Sequence, residues 1–277
     1  MTRERVHVDL SGVSATLLSN LARRAAAARA KRPLLDDPLA VEAVERLDHD
    51  FIDVSRRGAA WHAVRVATFD AAVRRFLARH PEGTVVALGE GLETQFWRVD
   101  NGAVHWLTVD LPPVLDLRGR VLPEDSHLQS HAGSALDLEW ADDVQPGAPV
   151  LVTAQGLFPY FERAQVHELI TALAERLPGS SLVFDVVPEK LLELVRKSSG
   201  SEAEQAVRLW TWLFDADERA AIAALPGVAR LRDLSPPLAR GVTPLVLRGV
   251  RALPRRLRYS LPVLPVLEIR FAERASR

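Results

Sequence analysis

The chain has 277 residues, 48% of them hydrophobic, enough to bury one substantial core. Thirty-five basic side chains against 36 acidic leave a formal charge of -1, which gives no global pull toward nucleic acid or anionic membrane. The absence of cysteine excludes disulfides, thiolate nucleophiles, iron–sulfur clusters and cysteine-type zinc sites.

The Ala/Arg-rich segment from Thr16 to Arg32 predicts a helix with an apolar edge at Leu17, Leu18 and Leu21. It stops before Pro33, and the Leu34–Pro38 turn starts a short second helix reaching about Leu47. A third helix is predicted over Ala59 to Ala78, with Val64, Ala67, Phe69, Ala72, Val73 and Phe76 on its buried side. The pattern then changes. Apolar runs of strand length follow at Thr84 to Leu88, Val104 to Val109, Pro149 to Ala154 and Ser181 to Val187. Helical stretches separate them at about Leu92 to Val99, Pro113 to Leu122 and Arg163 to Leu177. Such alternation implies a parallel sheet covered on both faces. Glu189 to Leu225 reads as helical and carries Trp210, Trp212 and Phe214; Val228 to Leu234 and Val263 to Phe271 are weaker strand candidates. The basic cluster Arg248, Arg251, Arg255, Arg256 and Arg258 reads as a solvated face. The first residues hold no signal-peptide block, and no uncharged apolar run reaches membrane-spanning length, so a cytoplasmic protein is expected.

Gly89-Glu90-Gly91 follows the first strand of this series, where a sharp turn lies against any bound ligand. The next strand ends at Asp110, about twenty residues on, where a carboxylate can accept both hydroxyls of a ribose. A third glycine is missing, which argues against a dinucleotide and a nicotinamide-dependent oxidoreductase, and the Walker pattern is absent. Glu90 and Glu93 beside the loop would repel phosphate and suit a ligand with a sulfonium and an ammonium. S-adenosylmethionine fits that description.

Three blocks carry a family resemblance: Gly89-Glu90-Gly91-Leu92-Glu93-Thr94, Val109-Asp110-Leu111-Pro112 and Ala154-Gln155-Gly156-Leu157-Phe158-Pro159-Tyr160-Phe161. With Arg65 and Asp70 upstream, they resemble the signature of the leucine carboxyl methyltransferase family, which includes polyketide O-methyltransferases of antibiotic pathways. The likeness runs from about Asp36 to Val187. It implies a Rossmann-like class I methyltransferase fold: a seven-stranded, mostly parallel α/β sheet with an N-terminal helical cap and a helical lid insertion. Residues 1–80 would be the cap and 81–277 the core, with lid helices at about 189–225, all in one structural unit. The resemblance implies S-adenosylmethionine as cofactor, with S-adenosylhomocysteine as product. Arg65 would bind the methionyl carboxylate, Gly89, Glu90 and Gly91 the methionine portion, and Asp110 and Leu111 the ribose side. Asp137 would take the adenine amine with Leu138 beside it, and Gln155 would stand near the amino-acid end.

Three positions depart from the family pattern. Glu93 replaces its usual Asp, Gln95 its usual Arg and Gln155 its usual Glu, leaving a non-catalytic cofactor-binding protein as the alternative to an active enzyme. Simpler roles compete for several residues: Arg65 pairing with Asp70, Asp137 capping a helix before Trp140, and Asp110 opening the Leu111-Pro112-Pro113 turn. Candidate bases are His62, one turn before Arg65, and His105, His127, His131 and His167; Tyr160 would line the acceptor pocket unless it is a core aromatic. The Trp210–Phe214 group would either stack on a flat acceptor or pack in the core. The expected activity is O-methylation of a carboxylate or phenol on a small polyketide-like secondary metabolite. No metal, nucleic acid or membrane partner is expected, and the chain would act as a monomer or homodimer.

Overall fold

The computed structural model describes residues 5–31, 33–51, 53–189, 191–192, 208–237 and 265–274. Its first elements are the strand β1 (Val6–His7) and the helices α1 (Thr16–Ala28) and α2 (Pro38–Arg46). Then come β2 (Leu47–Asp48), paired in parallel with β1, and the long helix α3 (Arg56–Leu77). The helix starts follow local chemistry. Asp37 caps α2 by accepting from the Ala40 amide, with Pro38 pre-set for the first turn, and Ser55 caps α3 through the Gly58 amide.

The strands β3 (Thr84–Leu88), β4 (His105–Asp110), β5 (Leu128–Ala132), β6 (Val150–Ala154) and β7 (Ser181–Asp185) pair in parallel, and β9 (Val266–Phe271) joins antiparallel to both β7 and β8 (Val228–Asp233). The order across the sheet is β5-β4-β3-β6-β7-β9-β8. This is the seven-stranded, mostly parallel, Rossmann-like sheet expected. The connecting helices are α4 (Gln95–Val99), α5 (Pro112–Val121), α6 (Arg163–Arg176) and α7 (Ala216–Ala223). Every residue of β3, β6 and β7 is buried, which is why these strands read as continuous apolar runs. Strand order reverses between β3 and β6, which opens a crevice at their carboxyl ends.

Helix α3 lays Phe69, Val73 and Phe76 on one face of the sheet, against Val85, Phe96, Trp106 and Leu151. On the other face α6 joins Trp140, Phe158, Phe184, Trp212 and Phe214. A third cluster ties α1 and α2 to the crevice rim: Leu18, Leu21, Ala40 and Ala43 pack with Leu92, Leu117 and Val121.

One sequence expectation needs correction, and one choice that the sequence leaves open is decided. The span 189–225 is not helical throughout: residues 210–215 are irregular, Phe214 bridges to Pro188, and α7 begins only at Ala216. Trp212 and Phe214 are fully buried, with Trp212 6.0 Å from the Phe158 ring and 6.4 Å from Phe184, so these two build the core and offer no stacking surface for a ligand. The strand β5 was not foreseen because its Leu-Gln-Ser-His-Ala sequence lies at the sheet edge, mostly exposed, and lacks an apolar signature. The Arg248–Arg258 cluster and much of the expected lid lie outside the described residues.

Because Leu21 is wholly buried where α1 meets the crevice rim, Leu21→Ala is expected to lower unfolding stability by about 2–5 kcal/mol, read by urea denaturation.

Candidate active site

Beyond Leu88 the chain turns through Gly89 and Gly91, both at φ +59°. A Cβ on Gly89 would stand 2.7 Å from Leu157, so the turn needs glycine for space as well as for backbone angle. Asp110, at the tip of β4, holds this turn: one carboxylate oxygen accepts from the Gly91 amide (2.7 Å) and the other from Leu111 (2.8 Å). Each oxygen keeps a lone pair for a further donor. Burial pushes the Asp110 pKa up, against the pull of those two amides and of Arg118.

Arg118 of α5 braces the same loop. Its guanidinium donates to the carbonyls of Gly91 (2.8 Å) and Glu93 (2.6 Å) and lies 3.2 Å from the Glu90 carboxylate. Glu90 also accepts from the Thr108 hydroxyl and from Trp106 Nε1 (3.3 Å). Burial raises its pKa, opposed by Arg118 and these donors. One oxygen of Glu90, Oε1, is buried without a partner.

A matching arrangement stands across the crevice. Asp185, at the tip of β7, accepts from the Gly156 amide (2.5 Å) and pairs with Arg65 of α3 (2.9 Å). Gly156 has φ +70°, and a Cβ there would press on Arg65 Nη1 at 3.1 Å. Arg65 pairs with Asp185, not with Asp70; its Nε is buried and unpartnered. Asp70 is gripped instead by Arg98 through two bonds (2.9 and 3.0 Å) and by Gln95 (2.9 Å). Arg98 thus supplies the positive charge that Gln95 lacks.

Glu93 joins the two halves. It lies 3.2 Å from Arg24 and 2.8 Å from Arg98, and accepts from Gln155 Nε2 (3.0 Å). Burial alone would raise its pKa, but the Arg24 and Arg98 charges, with hydrogen bonds from Arg98 and from the Thr94 amide, hold it down at about 2. Arg24 and Arg98 both also meet Asp37, at 3.2 and 3.0 Å. Gln155 Oε1 remains buried and unpartnered.

These groups surround a cavity of about 320 Å³ over the strand-order reversal. Its floor includes Gly89, Gly91, Asp110, Gln155 and Gly156, one side is formed by Gly133–Ala135, and Arg65 reaches in from α3. Its roof is the start of the chain, with Val13, Ser14, Thr16, Leu17, Asn20 and Arg24.

Of the residues expected from sequence, Arg65, Gly89, Glu90, Gly91, Asp110, Leu111, Gln155 and Tyr160 are brought to this cavity. Asp137 and Leu138 are not: they follow the lining segment, Asp137 exposed and Leu138 at φ +55° as the residue before a 3-10 turn. His62 does not line the cavity either. It is buried, and burial together with Arg65, Arg24, Arg23 and Arg98 drives its pKa well below the usual imidazole range. His131 and His167 are hydrogen-bonded to Asp143 and Glu218, each at 2.7 Å, away from the lining. Asp185, Arg118, Arg24 and the roof residues went unnoticed in the sequence. Asp185 carried a readable signal, an acid ending an apolar strand as Asp110 does; Arg24 sits in an Ala/Arg run with nothing to single it out.

The leucine carboxyl methyltransferase family model matches residues 17–174, more than half of the chain. The chain belongs to that family. Among its relatives is the tetracenomycin polyketide synthesis O-methyltransferase TcmP of Streptomyces glaucescens, 35% identical over 209 residues, 73% of this chain and 76% of TcmP. The S-adenosyl-L-methionine-dependent methyltransferase dpfgK of Gibberella zeae is 26% identical over 65% of this chain and 67% of its own length. Among solved structures, the plantazolicin methyltransferase BamL superposes with a TM-score of 0.52 at 12% identity, covering 94% of this chain and 99% of that one, a likeness of fold. This leucine carboxyl methyltransferase family member is an S-adenosylmethionine-dependent methyltransferase. The cavity suits that cofactor: among the buried orphan atoms of its lining residues, the donor Arg65 Nε complements a carboxylate, and the acceptors Gln155 Oε1 and Glu90 Oε1 suit a cationic ligand. Among the described residues no cluster of His, Asp and Glu could hold a metal, and no helix is long and apolar enough to cross a membrane.

The lowered Glu93 pKa fixes the sign of a pH effect. Stability from this carboxylate is fully present above the unfolded value near 4.5 and is lost as pH falls toward about 2. Glu93→Gln should therefore cost roughly 3–4 kcal/mol at neutral pH, and chemical denaturation should show the gap between variant and wild type closing between those two values.

Proposed function

We propose that the chain methylates an oxygen, carboxylate or phenol, of a small polyketide-like secondary metabolite. What carries this reading is the convergence of Arg65, Asp110 and Gln155 on one cavity at the strand-order reversal, within a family that has TcmP among its members. S-adenosylmethionine supplies, when bound, a methyl group on a sulfonium with a built-in leaving group. The chain's own task is alignment and exclusion of water.

Arg65 is placed to grip the methionyl carboxylate. Asp185 takes Nη1 and leaves Nε for it, and Arg offers there a planar edge that Lys lacks. Gln155, tethered to Glu93, turns its free carbonyl oxygen toward the ammonium. Asp110 is to accept from the ribose hydroxyls with the lone pairs its two backbone donors leave free, and Leu111 to pack beside it. Gly133–Ala135 offers the wall on the adenine side. Tyr160 lines the acceptor end; a carboxylate there needs no general base. The alternative, a cofactor-binding protein without catalysis, rested on the three family departures. Glu93 and Gln155 are hydrogen-bonded to each other and Gln95 to Asp70, so each has a partner and none blocks the cavity.

In titration calorimetry with S-adenosylhomocysteine, Arg65→Ala and Asp110→Ala are each expected to weaken binding at least about tenfold, as loss of a charge-assisted hydrogen bond of roughly 1.5–3 kcal/mol requires. Unchanged affinity in both defeats the cofactor placement. Failure of the wild type to methylate any of a panel of aromatic acids and phenols defeats the O-methyltransferase reading.

A further inference from the structure

The roof of the cavity holds a polar side chain that the cofactor assignments leave unused. Along α1, Leu17, Asn20 and Arg24 fall on one helix face at spacings of three and four, and all three line the cavity. Their neighbours locate them. Thr16, beside Leu17, accepts from Tyr160 (3.0 Å), and Leu17 Cβ lies 3.3 Å from where a Cβ on Gly91 would stand. Arg24 ends on the Leu92 carbonyl (2.5 Å) and on Glu93. Asn20 therefore sits one turn from the Tyr160 end and one turn from the Glu93–Gln155 end, between the acceptor wall and the place assigned to the amino-acid part of the cofactor. Among the described residues its carboxamide has no hydrogen-bond partner. It can donate two N–H bonds and accept through its oxygen.

The direction of the neighbouring hydrogen bonds is fixed by chemistry. The Thr16 hydroxyl has one proton, and it goes to the Val13 carbonyl at 2.7 Å, which can only accept. Tyr160 must then be the donor in its bond to Thr16. With its proton committed, the Tyr160 oxygen can only accept from anything in the cavity. The roof thus pairs an acceptor, Tyr160, with a donor, Asn20.

We propose that Asn20 is a specificity-determining residue that donates to a second oxygen of the methyl acceptor, while Tyr160 accepts from the acceptor's hydroxyl. The class selected is an aromatic hydroxy acid with hydroxyl and carboxylate on adjacent positions. One carboxylate oxygen takes the methyl as the carbon–sulfur bond breaks to a neutral thioether, and the other accepts from Asn20. The hydroxyl keeps its proton, donated as a hydrogen bond to Tyr160. This rests on reading the cavity as that of a small-molecule O-methyltransferase.

The test compares wild type with Asn20→Leu and Asn20→Asp on three probes: a hydroxynaphthoic acid with adjacent hydroxyl and carboxyl, naphthoic acid and naphthol. Methylated product is measured by mass spectrometry to give kcat and KM, and S-adenosylhomocysteine affinity is measured separately by calorimetry. Wild type should prefer the hydroxy acid. Asn20→Leu should raise its KM by about three- to tenfold, the range for one neutral hydrogen bond, and level the ranking of probes. Asn20→Asp should do so more strongly by repelling the carboxylate, and affinity for S-adenosylhomocysteine should stay unchanged in both. Retention of the wild-type ranking and KM in Asn20→Leu overturns the role of Asn20 alone, as does a loss confined to S-adenosylhomocysteine binding. No methylation of any probe by wild type overturns the underlying reading instead.

Discussion

A buried chain of charges holds the site together. Arg24 on the first helix, Asp37 before the second, Glu93 after the glycine turn, and Arg98 with Asp70 beneath it form one continuous ion-paired cluster. Each of these side chains is almost wholly removed from water. In such a setting a charge is tolerated only while its partners remain, and deleting one partner typically costs about 3–5 kcal/mol. The cluster draws sequence-distant segments to one point and makes the roof of the cavity part of the core. Thr94 joins it by donating its hydroxyl to Asp37 (2.7 Å). Glu93 faces the cluster on one side and Gln155 on the other, so the same carboxylate that anchors the roof also orients a cavity residue.

The floor shows a second economy of design. On each side of the strand-order reversal an acid at a strand tip secures a glycine turn: Asp110 accepts from the Gly91 amide, and Asp185 from the Gly156 amide. Both turns use positive φ, where a side chain would be strained, and both bring backbone to the cavity wall. The two acids then differ. Asp185 spends its other oxygen on Arg65, fixing a cation over the crevice, whereas Asp110 receives only amides and keeps capacity for a ligand. A repeated structural device thus yields one positive and one negative wall, suited to a ligand that carries a carboxylate at one end and hydroxyl groups at the other.

How much of this could be read from sequence follows from what sequence patterns encode. The strands β3, β4, β6 and β7 were legible because burial on both faces writes an unbroken apolar run, and the glycine turn and Asp110 were legible because their spacing is local. The edge strand β5 was not, since an edge carries polar residues and its pairing with β4 is decided by tertiary position. The segment holding Trp212 and Phe214 looked like a lid helix because aromatic clustering does not report whether the rings face a ligand or a core; Trp212 is fixed by packing and by Glu218, which accepts from its indole at 2.9 Å. Partners 120 residues apart, such as Arg65 and Asp185, leave no spacing signal, and nearby Asp70 was the natural rival on the same helix. The roof escaped notice for a similar reason. Thr16, Asn20 and Arg24 follow ordinary helical spacing, and only the tertiary placement of α1 over the crevice gives them a role.

A crystal structure of the protein soaked with S-adenosylhomocysteine tests the central claim most directly. Density is expected with the amino-acid end between Arg65 and Gln155, the ribose against Asp110, and α1 closed over both. Density for the ligand elsewhere, or the two ends bound to surfaces that do not include Arg65 and Asp110, would contradict the assignment of this crevice as the methyl-donor site.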